Sequence, residues 1–107
     1  MTVQERRKHP RVNVPIDGQW RATSTGSFCR VVNVSMGGCF ARTPNPPAAA
    51  DDATLTMYFG KHGPLSIKGK VVHAAPKTGF GFAFDAMHHV LKLQLGQHLE
   101  SLKVGDY

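Results

Sequence analysis

Alternation of apolar and polar residues at a period of two, broken at near-regular intervals by turn residues, limits this chain more than any other feature. Leu55, Met57 and Phe59 fall on one side of an extended segment, with Thr54, Thr56 and Tyr58 on the other. Leu65, Ile67 and Val71 stand against Ser66, Lys68 and Lys70, and Phe80, Phe82 and Phe84 alternate with Gly81 and Ala83. A helix of period 3.6 would scatter these rows around its circumference, whereas a strand keeps each on one face. Earlier in the chain, Val12, Val14 and Ile16 alternate with Asn13 and Pro15. That pattern continues through Gly18 to Trp20, with Asp17-Gly18 as a candidate bulge or turn. Phe28 to Val34 and Gly38 to Thr43 read as the second and third strands. Residues 23–27, Pro44-Asn45-Pro46-Pro47, Gly60 to Pro64 and Pro76 to Gly79 supply loops and reversals. Six short strands with inward-facing apolar rows predict a mainly β fold, a six-stranded antiparallel β-barrel.

From Asp85 the period changes. Met87, Leu91, Leu95, Leu99 and Leu102 form one stripe at helical spacing, which predicts a C-terminal amphipathic α-helix with Asp85 as its N-cap. Gly96 inside it costs about 1 kcal/mol against alanine, so the helix must draw its stability from packing on the barrel. A length of 107 residues fits one domain. A hydrophobic share of 41% and a charged share of 19% exclude a disordered chain. The expected division is a flexible basic arm over residues 1–11 and the barrel with its helix over 12–107. No apolar run suits a membrane span or a secretory signal, so a cytoplasmic location is expected, with Cys29 and Cys39 as reduced thiols.

The net charge of +6 is unevenly placed. Residues 1–42 hold seven bases against two acids, and the remaining 65 residues hold six against five. The densest run is Arg6-Arg7-Lys8-His9-Pro10-Arg11. Pro10 biases His9 away from helical geometry, so the run should be extended. Such a run is what a solvated terminal arm looks like, and equally what an anion site needs, since the arginine fork suits phosphate and the O6/N7 edge of guanine. Asn33-Val34-Ser35-Met36-Gly37-Gly38 offers the same two readings. These are ordinary hairpin residues, yet Asn and Ser carry ligand-competent polar groups and glycine lets a ligand approach the backbone.

Catalysis finds little support. No paired-carboxylate site occurs, since the acids are scattered and only Asp51 and Asp52 are adjacent, in a loop; no nucleophile-elbow pattern surrounds Ser35, and His88 and His89 would point about 100° apart on a helix. No cysteine or histidine spacing matches a metal site. The chain is therefore expected to be neither an enzyme nor a metal or cofactor protein. A small basic barrel could instead hold single-stranded nucleic acid. Inward-facing phenylalanines and concentrated rather than spread charge argue against it.

Arg7-x-x-x-Arg11 before the first strand, followed by Asn33-x-Ser35-x-x-Gly38 between the second and third, resembles the two-part signature of the PilZ domain family. The strand Gly79-Phe80-Gly81-Phe82-Ala83-Phe84 and the closing helix extend the similarity over almost the whole chain. The resemblance implies a PilZ-like barrel that is a receptor for the bacterial second messenger cyclic di-GMP. By carry-over, Arg7 and Arg11 would grip phosphate and a guanine edge, Asn33 and Ser35 would hydrogen-bond a guanine or phosphate, and Gly38 would leave room for the base. Arg6, just before the first signature arginine, favours a stacked pair, two ligand molecules per chain. The arm would order on the ligand, and the new surface would be read by an effector protein, making the chain a stand-alone adaptor and by default a monomer. A PilZ-like interaction module without ligand is the other reading. The sequence leaves open whether His73 or Arg42 touches the ligand.

Overall fold

The computed structural model describes residues 12–13 and 15–103. Strands β1 (Ile16–Arg21), β2 (Gly26–Val34), β3 (Gly38–Arg42), β4 (Asp52–Tyr58), β5 (Pro64–Ala75) and β6 (Gly79–Phe84) are followed by helix α1 (His89–Lys103). A single 3-10 turn, Gly60–His62, joins β4 to β5. The strands close into a barrel in the order β1-β2-β3-β6-β5-β4, with every pairing antiparallel. The predicted six-stranded barrel and C-terminal helix are both present.

The differences lie at element ends. β1 begins at Ile16, and Asp17 and Gly18 form neither bulge nor turn but pair in register with Arg30 and Cys29. β2 starts at Gly26, which pairs with Arg21. β3 stops at Arg42 because Thr43 turns its groups elsewhere: its N–H bonds Thr78 O at 3.0 Å and its Oγ1 bonds Phe28 O at 3.2 Å. β5 runs on to Ala75, with His73 inside it. Asp85 is not the helix cap. Its N–H is held by Lys68 O at 2.9 Å, which keeps the chain on the sheet, and the helix starts four residues later. His88 takes the capping role, its Nδ1 accepting from the Leu91 N–H at 3.4 Å.

Inside the barrel, Trp20 meets Phe80 edge-on at 6.2 Å, and Phe80 meets Phe82 at the same separation, 87° apart. Val31, Leu55, Ile67 and Val71 fill the remaining space. α1 adds Leu95, Leu99 and Leu102 to this core. Each buried leucine contributes about 2 kcal/mol, enough to offset Gly96. Phe59, Phe80 and Phe82 face inward as expected, whereas Phe28 is 75% exposed. Cys29 and Cys39 are both buried and form no disulfide. Close approach governs β5: a Cβ at Gly69 would overlap the Ala83 carbonyl oxygen and the Phe82 ring. Gly69→Ala is therefore expected to destabilise by about 1–3 kcal/mol, read from the urea midpoint at unchanged m-value.

From within α1, His98 stacks on the buried Phe59 ring just past β4, centroids 4.3 Å apart and planes 3° apart, with His62 at 6.1 Å. Burial first, and the neighbouring His62 second, hold the His98 imidazole below its ordinary value of 6.5. A depressed folded-state value means the folded chain takes up the proton less readily than the unfolded one. Stability from this contact is present above 6.5 and lost as pH falls through that value towards the folded one. The melting temperature should drop across that window, and His98→Gln should flatten this part of the profile.

Candidate functional site

The outer surface near the β2–β3 turn is shaped by two extra residues. In β2 the inward positions run Cys29, Val31 and then Val34, because the ladder to β3 slips between Val31↔Ala41 and Asn33↔Phe40. Val32 is the extra residue of this bulge, and without it position 33 would share the inward parity of 29 and 31. Asn33 instead sits half-buried among the outward positions. β5 repeats the device at Val72: the ladder slips between Val71↔Phe82 and His73↔Gly81, and His73 is exposed. Asn33, Phe40, Gly81 and His73 thereby form one row across β2, β3, β6 and β5. The row spans about 14 Å at ordinary strand spacing.

The turn itself is closed by Ser35. Its N–H donates to Gly38 O at 2.8 Å, its hydroxyl donates to the same oxygen at 3.3 Å, and its Oγ accepts from the Gly37 N–H at 3.2 Å. Ser35 is only 5% exposed. One hydroxyl lone pair is left for any further partner. Gly38 owes its lack of a side chain to the barrel. A Cβ there would overlap the Phe82 carbonyl oxygen on β6, while Gly37 O accepts from the Phe84 N–H at 3.0 Å. The room expected for a ligand base is thus first of all room for β6.

A bridge outside the named strands ties the start of the described chain to this turn. Val12 and Val34 exchange both backbone hydrogen bonds, at 2.8 and 3.1 Å, and both side chains are buried. The residue that follows Arg11 in sequence is therefore fastened to the residue between Asn33 and Ser35. Arg6, Arg7 and Arg11 themselves lie outside the described residues. Sequence reasoning missed this bridge and both bulges. Their one visible trace was the doubled Val31-Val32 and Val71-Val72, where strict alternation fails.

Among the described residues no group of three or more His, Cys, Asp or Glu could hold a metal ion. Burial pushes the Cys29 thiol up to about 11, which removes it as a nucleophile at neutral pH. No helix among the described residues is long and apolar enough to cross a membrane. Because the Ser35 hydroxyl both gives and accepts within the turn, Ser35→Ala should cost about 1–2 kcal/mol by denaturant titration, even with no ligand present.

The PilZ domain family profile matches residues 5–101. The PilZ domain with c-di-GMP of YcgR from Escherichia coli has a similar structure, at a TM-score of 0.82 and 16% identity over 94% of this chain and 94% of that one. The K. pneumonia MrkH–c-di-GMP complex is similar at 0.74 and 18% identity, over 96% of this chain and 55% of MrkH. The PilZ domain of CeSA from a cellulose synthesizing bacterium is similar at 0.73 and 13% identity, over 88% and 98%. At these identities the likeness is one of fold, and the chain spans about half of the longer MrkH and YcgR chains. No curated protein matches it in sequence. The closed barrel, its terminal helix and the match over residues 5–101 agree: this chain belongs to the PilZ domain family.

Proposed function

We propose that this chain is a receptor for cyclic di-GMP, held between the arginines of the Arg7-x-x-x-Arg11 segment and the outer row that starts at Asn33. The observation that carries the reading is the Val12–Val34 bridge, which joins the chain just past Arg11 to the middle of the Asn33-Val34-Ser35 segment. That bridge brings residue 12 against residue 34, more than twenty positions away in sequence. Structural relatives support it, since the YcgR and MrkH structures contain c-di-GMP.

The roles follow from the chemistry of the ligand. Two phosphates and two guanines call for guanidinium forks, which Arg7 and Arg11 supply through charge-assisted hydrogen bonds. Asn33 offers both a donor and an acceptor to a guanine edge. Ser35 keeps the turn in shape and has one lone pair over for a guanine N–H. Arg6 stacks on a purine and so favours two intercalated ligand molecules per chain. No bond of the ligand is broken. The output is a new surface made of nucleotide, arm and barrel, presented by a cytoplasmic adaptor to an effector protein.

Calorimetric titration with cyclic di-GMP tests the reading. Saturable binding is expected, with a stoichiometry near two if Arg6 stacks and near one if it does not. Arg7→Ala and Arg11→Ala should each weaken binding by about ten- to a hundredfold while leaving the melting temperature unchanged. Absence of heat and of any melting shift would leave a PilZ-fold interaction module without ligand. Unfolding of the arginine variants would make those residues structural.

A further inference from the structure

At the far end of the β2–β3 hairpin, one corner of the barrel is locked together without serving the signature turn. Thr43, only 4% exposed, holds three segments at once. Its Oγ1 bonds Phe28 O on β2, its N–H bonds Thr78 O in the β5–β6 turn, and Pro44 follows it in the chain. Between the proline loop and the β5–β6 turn lies a groove of about 420 Å³, lined by Pro44, Pro46, Pro47, Ala74, Pro76 and Lys77. Its walls are proline rings, which lose little freedom on contact. Phe28 stands on the same corner with 75% of its surface in water.

The charge at this corner is positive. Arg42, outward on β3 and paired in register with Gly79, and Lys77, at the tip of the β5–β6 turn, are both exposed. Neither shares in the ion pairs Arg30–Asp17, Lys70–Asp52 and Lys103–Glu100, and neither has an ion-pair partner among the described residues. Lys77 is also held in an unfavourable conformation. The turn closes through the Thr78 N–H to Ala75 O at 3.0 Å, with Pro76 second and Lys77 third at φ 65°. That is the type II pattern, whose third position favours glycine. A lysine there strains the turn, and what the position gains in exchange is a cation beside the groove.

We propose that this corner docks an acidic peptide segment of a protein partner, seating one bulky apolar side chain in the proline groove with carboxylates on Arg42 and Lys77. Phe28 supplies the exposed aromatic contact typical of an interface centre. A nucleic acid fits less well, because proline walls offer bases no planar surface. The docking corner lies about 20 Å along β2 from Ser35, so both ends can be occupied together. It stands whether or not the chain binds cyclic di-GMP.

The test is an NMR titration of the nucleotide-free full chain with the peptide acetyl-Glu-Glu-Trp-Glu-Glu-amide, its glutamine analogue and a short oligothymidylate. Saturable amide shifts are expected at Phe28, Thr43, Ala74 and Thr78, with the glutamine analogue binding about tenfold more weakly at the same salt. Phe28→Ala should weaken the acidic peptide about tenfold. Lys77→Gly should weaken it about threefold while raising the melting temperature, a combination a purely structural lysine would not give. The proposal falls if shifts are absent from this corner, if the glutamine analogue binds equally, or if Lys77→Gly keeps full affinity. Tighter binding of oligothymidylate at the same residues would also overturn it, in favour of a nucleic-acid surface.

Discussion

Close backbone approach along the β3–β6–β5 seam is the constraint on which the rest of this barrel depends. A side chain at Gly38 would strike the Phe82 carbonyl, one at Gly79 the Ala41 carbonyl, and one at Gly69 the Ala83 carbonyl and the Phe82 ring. These three positions let strands far apart in sequence hydrogen-bond without a gap, so the sheet closes and has no unpaired edge to protect. At Gly69 the space a side chain would take is occupied by the Phe82 ring, which meets Phe80 edge to face. The signature turn lies on this seam, with Gly37 O bonded to the Phe84 N–H. The shape of the candidate ligand site is therefore inherited from barrel closure.

Local departures from regular strand geometry give the site its residues. One extra residue at Val32 reverses the parity of β2 and keeps a polar Asn33 out of the core. A second at Val72 does the same for His73. Each bulge interrupts the ladder at one point and re-aims the side chains after it, the arrangement expected where a rigid scaffold must present polar groups at fixed positions. Ser35 spends two hydrogen bonds on its own turn, so the polar groups of this site are pre-set before any ligand arrives.

β2 and β3 connect the candidate ligand surface and the proposed docking corner. One end bears the Val12–Val34 bridge and the closed serine turn, the other Phe28, Arg42 and the proline loop fixed by Thr43. The helix closes a third side, anchored by Leu95, Leu99 and Leu102 and by the stack of His98 on Phe59. That last contact makes the helix attachment sensitive to protonation, because a charged imidazole would lie against a buried ring and close to His62.

The number of strands, their inward rows and the terminal helix were legible in the sequence, because burial imposes a period of two on a half-buried strand and 3.6 on a helix. The paired motifs were legible too, as residue types at fixed spacing. Element ends were not. Whether the helix starts at Asp85 or His89 turns on one hydrogen bond from Asp85 to Lys68, a partner seventeen residues away that no local pattern encodes. The same holds for Gly38, whose neighbour Phe82 is remote in sequence, and for the bulges, which exist only relative to a partner strand. Composition and periodicity determined by themselves that this chain forms a barrel with a helix. Which side of the sheet Asn33 faces, why Gly38 must be glycine and how the chain after Arg11 meets the turn were decided by tertiary contact alone, since each depends on groups that meet only when the barrel closes.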